Sequence, residues 1–289
     1  MDEVLVKYTT ANSRFVVIEG MLVHYRDEGN GYPMVMVHGA FSSLHTFNAW
    51  SSELSGDFRV IRYDLPGFGL TGAHPRHDYS MDAHLRVLRN LLDMLGISRC
   101  VLCGNSLGGW ITWEFALRYP YRVRKLILLD SAGFLDDNSI PLAFKMARTP
   151  FMNRVAKYVI RKNILEQFLH QVYYDNNKVS PELLDRYYKL FTREGNPEAF
   201  FMLVNKTAYK DNTRKLKGLE TPTLIIWGEE DRWLPVENAH RFLNLIPRSR
   251  LVIYENTGHI PMEEEPEDTA AEVRRFIHGG GDQSNLFYE

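Results

Sequence analysis

Cys100-Val101-Leu102-Cys103-Gly104-Asn105-Ser106-Leu107-Gly108-Gly109 is an apolar, strand-like run that breaks into Gly-x-Ser-x-Gly and then opens a helical stretch, Leu107 to Tyr119, ending before Pro120. By frequency alone the five-residue pattern is weak, with about 0.1 chance matches in a chain of this length. Its context strengthens it. A sharp strand-to-helix turn forces the serine into a strained backbone conformation and leaves no room for side chains two residues before and two after. Gly104 and Gly108 meet both conditions. The turn would carry Ser106 Oγ to the C-terminal edge of a sheet, with the N–H of Leu107 pointing to the same place. The plainer alternative is a glycine-rich turn with an incidental serine.

A serine hydroxyl is a poor nucleophile until a base takes its proton. A histidine and an acid should therefore follow on later strand ends, in the order Ser, acid, His. After Leu224 to Trp227 comes Gly228-Glu229-Glu230-Asp231-Arg232-Trp233-Leu234-Pro235, and after Leu251 to Tyr254 comes Asn256-Thr257-Gly258-His259-Ile260-Pro261. His259 reads as the base and Asp231 as the acid that orients it. Glu229, Glu230 and Asp130 compete for the acid role, and Asp231 is favoured by its place after the Gly228 turn. An oxyanion also needs donors. The loop Val37-His38-Gly39-Ala40-Phe41 leaves another strand, and the N–H of Ala40 would face that of Leu107 across the reacting carbonyl. Phe41, Trp110, Leu234 and Ile260 flank this centre as candidate substrate-binding residues, with plain core packing as the alternative for each. His38 reads as structural.

Outward from this centre, strand-like and helical stretches alternate. Phe15 to Glu19 and Val23 to Asp27 form an opening hairpin around Glu19-Gly20. Met34 to Val37, Val60 to Tyr63, Val101 to Cys103, Leu126 to Leu129, Leu224 to Trp227 and Leu251 to Tyr254 are apolar on both faces, like strands of a parallel sheet covered by helices. Helices are expected over Asp82 to Leu95, Leu107 to Tyr119, Val236 to Leu245 and Pro266 to Phe276. The pattern implies a doubly wound α/β sheet. Residues 134–215 break it, with no clear strand, many aromatics (Phe144, Phe151, Tyr158, Phe168, Tyr187, Phe200) and Pro141, Pro150, Pro181 and Pro197. They read as a helical cap inserted into a core of 1–133 and 216–278, and 279–289 as a flexible tail.

The 289 residues are 24% charged and 45% apolar, and 34 basic against 36 acidic side chains give a net charge of −2. That balance argues against a nucleic-acid partner. No apolar stretch reaches the roughly 20 residues of a membrane span, and the N-terminus lacks the marks of a signal peptide. The expectation is a soluble, cytoplasmic chain, with oligomeric state open. Two cysteines, Cys100 and Cys103, lie three apart on one strand and face opposite ways, so they read as reduced, packed thiols. A metal site at His74, His77, Asp78 and His84 lacks paired ligand spacing, so no metal or other cofactor is expected.

Together His38-Gly39, Asp64-Leu65-Pro66-Gly67-Phe68-Gly69, Gly104-Asn105-Ser106-Leu107-Gly108-Gly109, the Asp231 loop and Gly258-His259 resemble the α/β-hydrolase superfamily, over nearly everything from Phe15 to Phe276. The resemblance implies that the Asp64 turn is structural. Epoxide hydrolases and haloalkane dehalogenases of this fold place aspartate where Ser106 stands. Carbon–carbon hydrolases of ring-cleavage (meta-cleavage) products share the Gly-Asn-Ser-x-Gly-Gly elbow, but usually carry a Gly-Pro-Gly oxyanion loop and a tryptophan after the histidine. Here Ala40-Phe41-Ser42-Ser43 and Ile260 stand instead. A cofactor-free serine carboxylesterase acting on uncharged esters with apolar acyl or alcohol parts fits best. The alternatives are a carbon–carbon hydrolase and a non-enzymatic ligand-binding member of the superfamily.

Overall fold

Eight strands form one sheet in the order β1-β2-β4-β3-β5-β6-β7-β8. They are β1 (Ser13–Ile18), β2 (Met21–Glu28), β3 (Tyr32–Val37), β4 (Phe58–Tyr63), β5 (Cys100–Asn105), β6 (Val123–Leu129), β7 (Thr223–Gly228) and β8 (Ser249–Tyr254). The computed structural model describes residues 3–134, 161–206 and 211–279. Pairings from β4 through β8 are parallel, and β2 runs antiparallel to both β1 and β4. This is the α/β-hydrolase fold. The strand order reverses between β3 and β5, so the loops after these two strands diverge and leave a crevice at their C-terminal ends.

Local sequence accounts for the connections. Ile18 pairs with Met21 across Glu19 and Gly20, both at positive φ (51° and 82°), as a two-residue hairpin turn that matches strand twist requires. The helix Met81–Met94 begins at Ser80, whose Oγ accepts the Ala83 N–H, and ends at Gly96 with φ 67°, where Ile97 N–H returns to Leu92 C=O. Strands β5 and β7 are buried along their whole length. Strand β8 departs from the expectation of two covered faces. It is the last strand of the sheet among the described residues, and every one of its residues keeps some exposure. The short helices Glu3–Tyr8, Asn48–Leu54 and Pro261–Glu264 are too brief to show a periodicity in sequence.

The Asp64 turn is held by its own carboxylate. Asp64 Oδ1 accepts the Leu44 N–H at 2.7 Å, and Oδ2 accepts the Leu70 N–H and bonds His24 Nδ1, both at 2.8 Å. A side chain at Gly69 would strike the Asp64 carboxyl group. His24 Nε2 lies 3.0 Å from Ser13 Oγ, so a second Ser–His–Asp chain exists. Ser13 Oγ also accepts the Thr10 N–H and faces the Arg26 guanidinium, which suits a hydroxyl that braces the β1–β2 edge.

Among the described residues, the helices Lys162–Val172, Pro181–Phe191 and Asn196–Lys206 lie between β6 and β7 in the chain. Phe41, at the end of the β3 loop, packs against Phe168, Phe191 and Phe200 from all three, with ring centroids 5.6, 4.9 and 4.1 Å away. Glu263 adds a half-buried polar tie. It accepts Tyr173 Oη at 2.8 Å, Tyr187 Oη at 2.8 Å and the Arg186 guanidinium at 2.8 Å, and it also takes the Thr46 hydroxyl. Residues 135–160, with Phe144, Phe151 and Tyr158 of the expected cap, and 280–289 of the expected tail lie outside the described residues. No helix among the described residues is long and apolar enough to cross a membrane. Both cysteines are free and buried, and burial pushes the Cys100 thiol up to about 12.

Candidate active site

Ser106 sits between β5 and the helix Leu107–Arg118 with φ 54° and ψ −119°. A non-glycine residue in this region costs roughly 1–3 kcal/mol and persists only where its surroundings enforce it. Here the glycines enforce it. A Cβ on Gly104 would lie 2.3 Å from Gly108 C=O, and one on Gly108 would lie 2.0 Å from Val37 C=O. Backbone and helix thus meet with no space between. Gly108→Ala is expected to destabilise the fold by about 3 kcal/mol or more, because the obstacle is backbone in the sheet centre and cannot rotate away. Urea unfolding of the variant would test this, and a wild-type midpoint would contradict it.

The histidine and the acid arrive from two other strand ends, those of β8 and β7. His259 Nδ1 lies 2.6 Å from Asp231 Oδ2, with both residues buried. Asp231 Oδ1 accepts the N–H groups of Trp233 at 2.7 Å and Leu234 at 3.0 Å. The same loop is anchored by Trp227 Nε1, which donates to Leu234 C=O at 3.0 Å. With Nδ1 protonated and donating to Asp231, His259 Nε2 is left as the basic nitrogen. It is buried and makes no hydrogen bond. Asn105 ties the serine turn to the histidine loop, its Nδ2 donating to Leu129 C=O at 3.2 Å and to His259 C=O at 3.0 Å. Gly258 must be glycine, since a Cβ there would lie 2.3 Å from Val172 C=O, and its N–H donates to buried Glu264 at 2.7 Å.

A cavity opens at this point. Ser106, His259, Asn105, Ala40, Phe41, Ser42, Trp233 and Ile260 line it. Leu165, Phe168, Leu169, Val172 and Tyr187 come from the helices after β6. Of the residues singled out from sequence, Ser106, His259, Ala40, Phe41 and Ile260 line the cavity. Trp110 and Leu234 do not. Trp110 stacks on Trp113 in the core at 6.3 Å, and Leu234 serves through its backbone. Trp233 takes the place beside the imidazole, with ring centroids 5.5 Å apart. It stands in the acid loop, two residues past Asp231, and that adjacency was its only sequence signal. Leu107 is the first residue of its helix, so its N–H has no acceptor within that helix. Gly39 lets the Ala40 loop close on the serine, since a Cβ there would lie 2.9 Å from Ser106 Cβ.

The competing acids have other partners. Glu230 accepts the Thr257 N–H at 3.0 Å, and Glu229 is exposed. Asp130 is buried next to the pair, and ligand atoms of Asp130, Asp231 and His259 lie within 4.8 Å of one another. Such a group has the composition of a cation site, but both Asp231 oxygens already accept N–H donors, one of them from His259 itself. His38 bonds backbone at both ring nitrogens, to Gly39 C=O at 2.7 Å and Leu65 N–H at 2.9 Å.

A strained serine turn, a buried His–Asp pair and a crevice at the sheet's strand-order reversal are the features of a hydrolase of the α/β type. The family model described as alpha/beta hydrolase fold matches residues 32–266, and the chain belongs to that family. It is 31% identical over 255 residues to a 2-hydroxy-6-oxo-2,4-heptadienoate hydrolase of Pseudomonas putida, covering 85% of this chain and 89% of that protein. Among solved structures it resembles a meta-cleavage product hydrolase from Pseudomonas fluorescens IP01, at TM-score 0.79 and 27% identity over 93% of this chain and 98% of that one. It resembles a thermophilic esterase from Thermogutta terrifontis equally, at TM-score 0.79 and 27% identity over 93% and 99%.

Proposed function

We propose that this hydrolase cleaves uncharged carboxylic esters with apolar acyl or alcohol parts, through an acyl-enzyme on Ser106. The observation that carries this reading is the lining of the cavity. It is aromatic and aliphatic around Ser106, and no lysine or arginine lines it among the described residues. Arg186, adjacent to the lining residue Tyr187, has its guanidinium on Glu263. None of the described lining residues would offer a counter-charge to the carboxylate of an anionic dienoate, whose burial unpaired is costly.

In the proposed mechanism His259 Nε2 takes the Ser106 proton as Oγ attacks the ester carbonyl. The N–H groups of Leu107 and Ala40 hold the oxyanion, worth several kcal/mol in barrier. His259 then protonates the departing alcohol. Water, deprotonated by the same nitrogen, releases the acid and restores Ser106. Asp231 holds the imidazole tautomer and balances its charge while it is protonated.

A second reading, carbon–carbon hydrolysis of a 2-hydroxy-6-oxo-dienoate, draws on the relatives named above. Parallel kcat/KM measurements on aryl esters of graded acyl length, a lactone and such a dienoate separate the two. The expected result is a preference for the short apolar esters over the dienoate. A strong preference for the dienoate would replace the ester reading with the second one. A fluorophosphonate probe is expected to label the chain, and a folded protein that never labels would instead be a ligand-binding member of the family.

A further inference from the structure

We propose that Asp130 is a neutral carboxylic acid that shares its Oδ2 proton with the Asp231 carboxylate, and so acts as a positioning residue for the Asp231–His259 pair. Its kinetic part rests on the serine-hydrolase reading above, and its protonation state does not.

Asp130 follows β6 with a left-handed backbone, φ 42°, and is fully buried. Its Oδ1 accepts the Gly228 N–H at 3.0 Å, and its N–H donates to Ile226 C=O at 3.0 Å, so both ends of the residue are pinned to β7. Its Oδ2 is buried and without a hydrogen bond. An ionised carboxylate oxygen in that position would be an uncompensated buried charge. One carboxylate oxygen of Asp130, one of Asp231 and a ring nitrogen of His259 lie within 4.8 Å of one another. Two carboxyl groups this close and away from water do not both ionise, and they titrate as a pair.

The partners decide which one keeps the proton. Asp231 accepts three N–H donors, those of Trp233, Leu234 and the His259 ring. Asp130 accepts one. The other acid that faces Asp130, Glu264, accepts the N–H groups of Gly258 and Tyr174, with Lys178 nearby, and adds negative field. Burial first, and then the charge of Asp231, push the Asp130 carboxyl well above the ordinary carboxylate range. A proton on Oδ2 turns the orphan oxygen into a donor to Asp231. It leaves Asp231 as the single counter-charge for an imidazole that must alternate between neutral and charged forms, and it fixes the plane of that carboxylate.

Infrared difference spectroscopy of the full chain at about pH 8, in H2O and D2O, reads the proton directly. The wild type is expected to show a deuterium-sensitive C=O band of a buried protonated carboxyl. Asp130→Asn is expected to remove it, and Asp231→Asn to move it by taking away the acceptor. If Asp130→Asn does not fold, Asp130→Ala removes the same band. A spectrum unchanged by these substitutions overturns the proposal. In kinetics, the acid limb of kcat/KM for Asp130→Asn, whose amide still donates, is expected to stay with the wild type. That of Asp130→Ala is expected to move up by about one pH unit. Coincident limbs for the Asn and Ala variants would overturn the positioning role. Absence of fluorophosphonate labelling would sink the serine-hydrolase reading and leave the infrared result standing, so the two failures are distinguishable.

Discussion

Ser106→Ala is expected to lower kcat on a short aryl ester by roughly 10⁴- to 10⁶-fold and to leave the thermal transition in place. Stability should be spared because Ser106 is tied into the fold through its backbone. Its N–H donates to Leu129 C=O at 3.0 Å, and its C=O accepts the N–H groups of Trp110 at 3.1 Å and Ala132 at 3.0 Å. Ser106 lines the cavity, and no hydrogen bond of its hydroxyl holds the fold among the described residues. Alanine meets the same positive φ as serine, so the strain of the turn is unchanged. His259→Ala should cost about as much, and the double variant little more, because nucleophile and base act as one unit. Near wild-type turnover in Ser106→Ala, measured on purified protein with the labelling probe as a control, would end the assignment.

Acid sensitivity is the second large effect. His84 is fully buried on the helix Met81–Met94, and neither ring nitrogen has a hydrogen bond. Burial drives its pKa down to about 4, against a partial pull upward from Asp78, with His38 and His74 pushing the same way as burial. His45 is lowered to about 3, mainly by burial, and burial lowers His38 as well. The folded state therefore holds a neutral imidazole where the unfolded chain takes a proton. This contribution to stability is whole above the unfolded value near 6.5 and is lost as pH falls towards the folded one. Asp130 and Glu264 act in the opposite sense, since carboxyls raised on folding lose their contribution as pH rises through the range between the unfolded and folded values.

A single substitution isolates the histidine. Relative to wild type, His84→Leu should gain about 2 kcal/mol in unfolding free energy on going from pH 8 to pH 5, since 1.5 pH units below 6.5 are worth about 1.36 kcal/mol each. Urea titrations of both proteins at the two pH values measure it. A stability difference that does not change with pH would show that His84 is not the buried neutral group described.

Much of this is legible in the sequence because its causes are local. Gly104, Ser106 and Gly108 declare a turn whose steric conditions fall on neighbouring residues. Glu19-Gly20 declares a hairpin for the same reason, and Ser80 and Gly96 mark the two ends of one helix. The His259 and Asp231 loops were found because each follows an apolar run, and parallel strands covered on both faces look like that. Less local features leave a weaker trace in sequence. Trp110 and Leu234 flank the site in sequence yet turn into the core and the backbone of the acid loop. Trp233, one residue before Leu234, lines the cavity instead. The exposure of β8 follows from its place at the sheet edge, which strand order decides and no single strand reveals.

Sequence by itself determined the α/β-hydrolase fold, the strained serine turn and the order in which serine, acid and histidine occur. Each of these follows from backbone sterics or from the periodicity of burial within a few residues. Tertiary structure alone decided that Asp231 Oδ2 meets His259 Nδ1, that Asn105 joins the two loops, and that aromatics from the helices after β6 close over Ser106. It also decided that Asp130 lies beside Asp231, where two acids compete for one proton. The reason is distance along the chain. Contacts between residues dozens to more than a hundred positions apart depend on how strand ends and helix angles add up, and no local pattern records that sum.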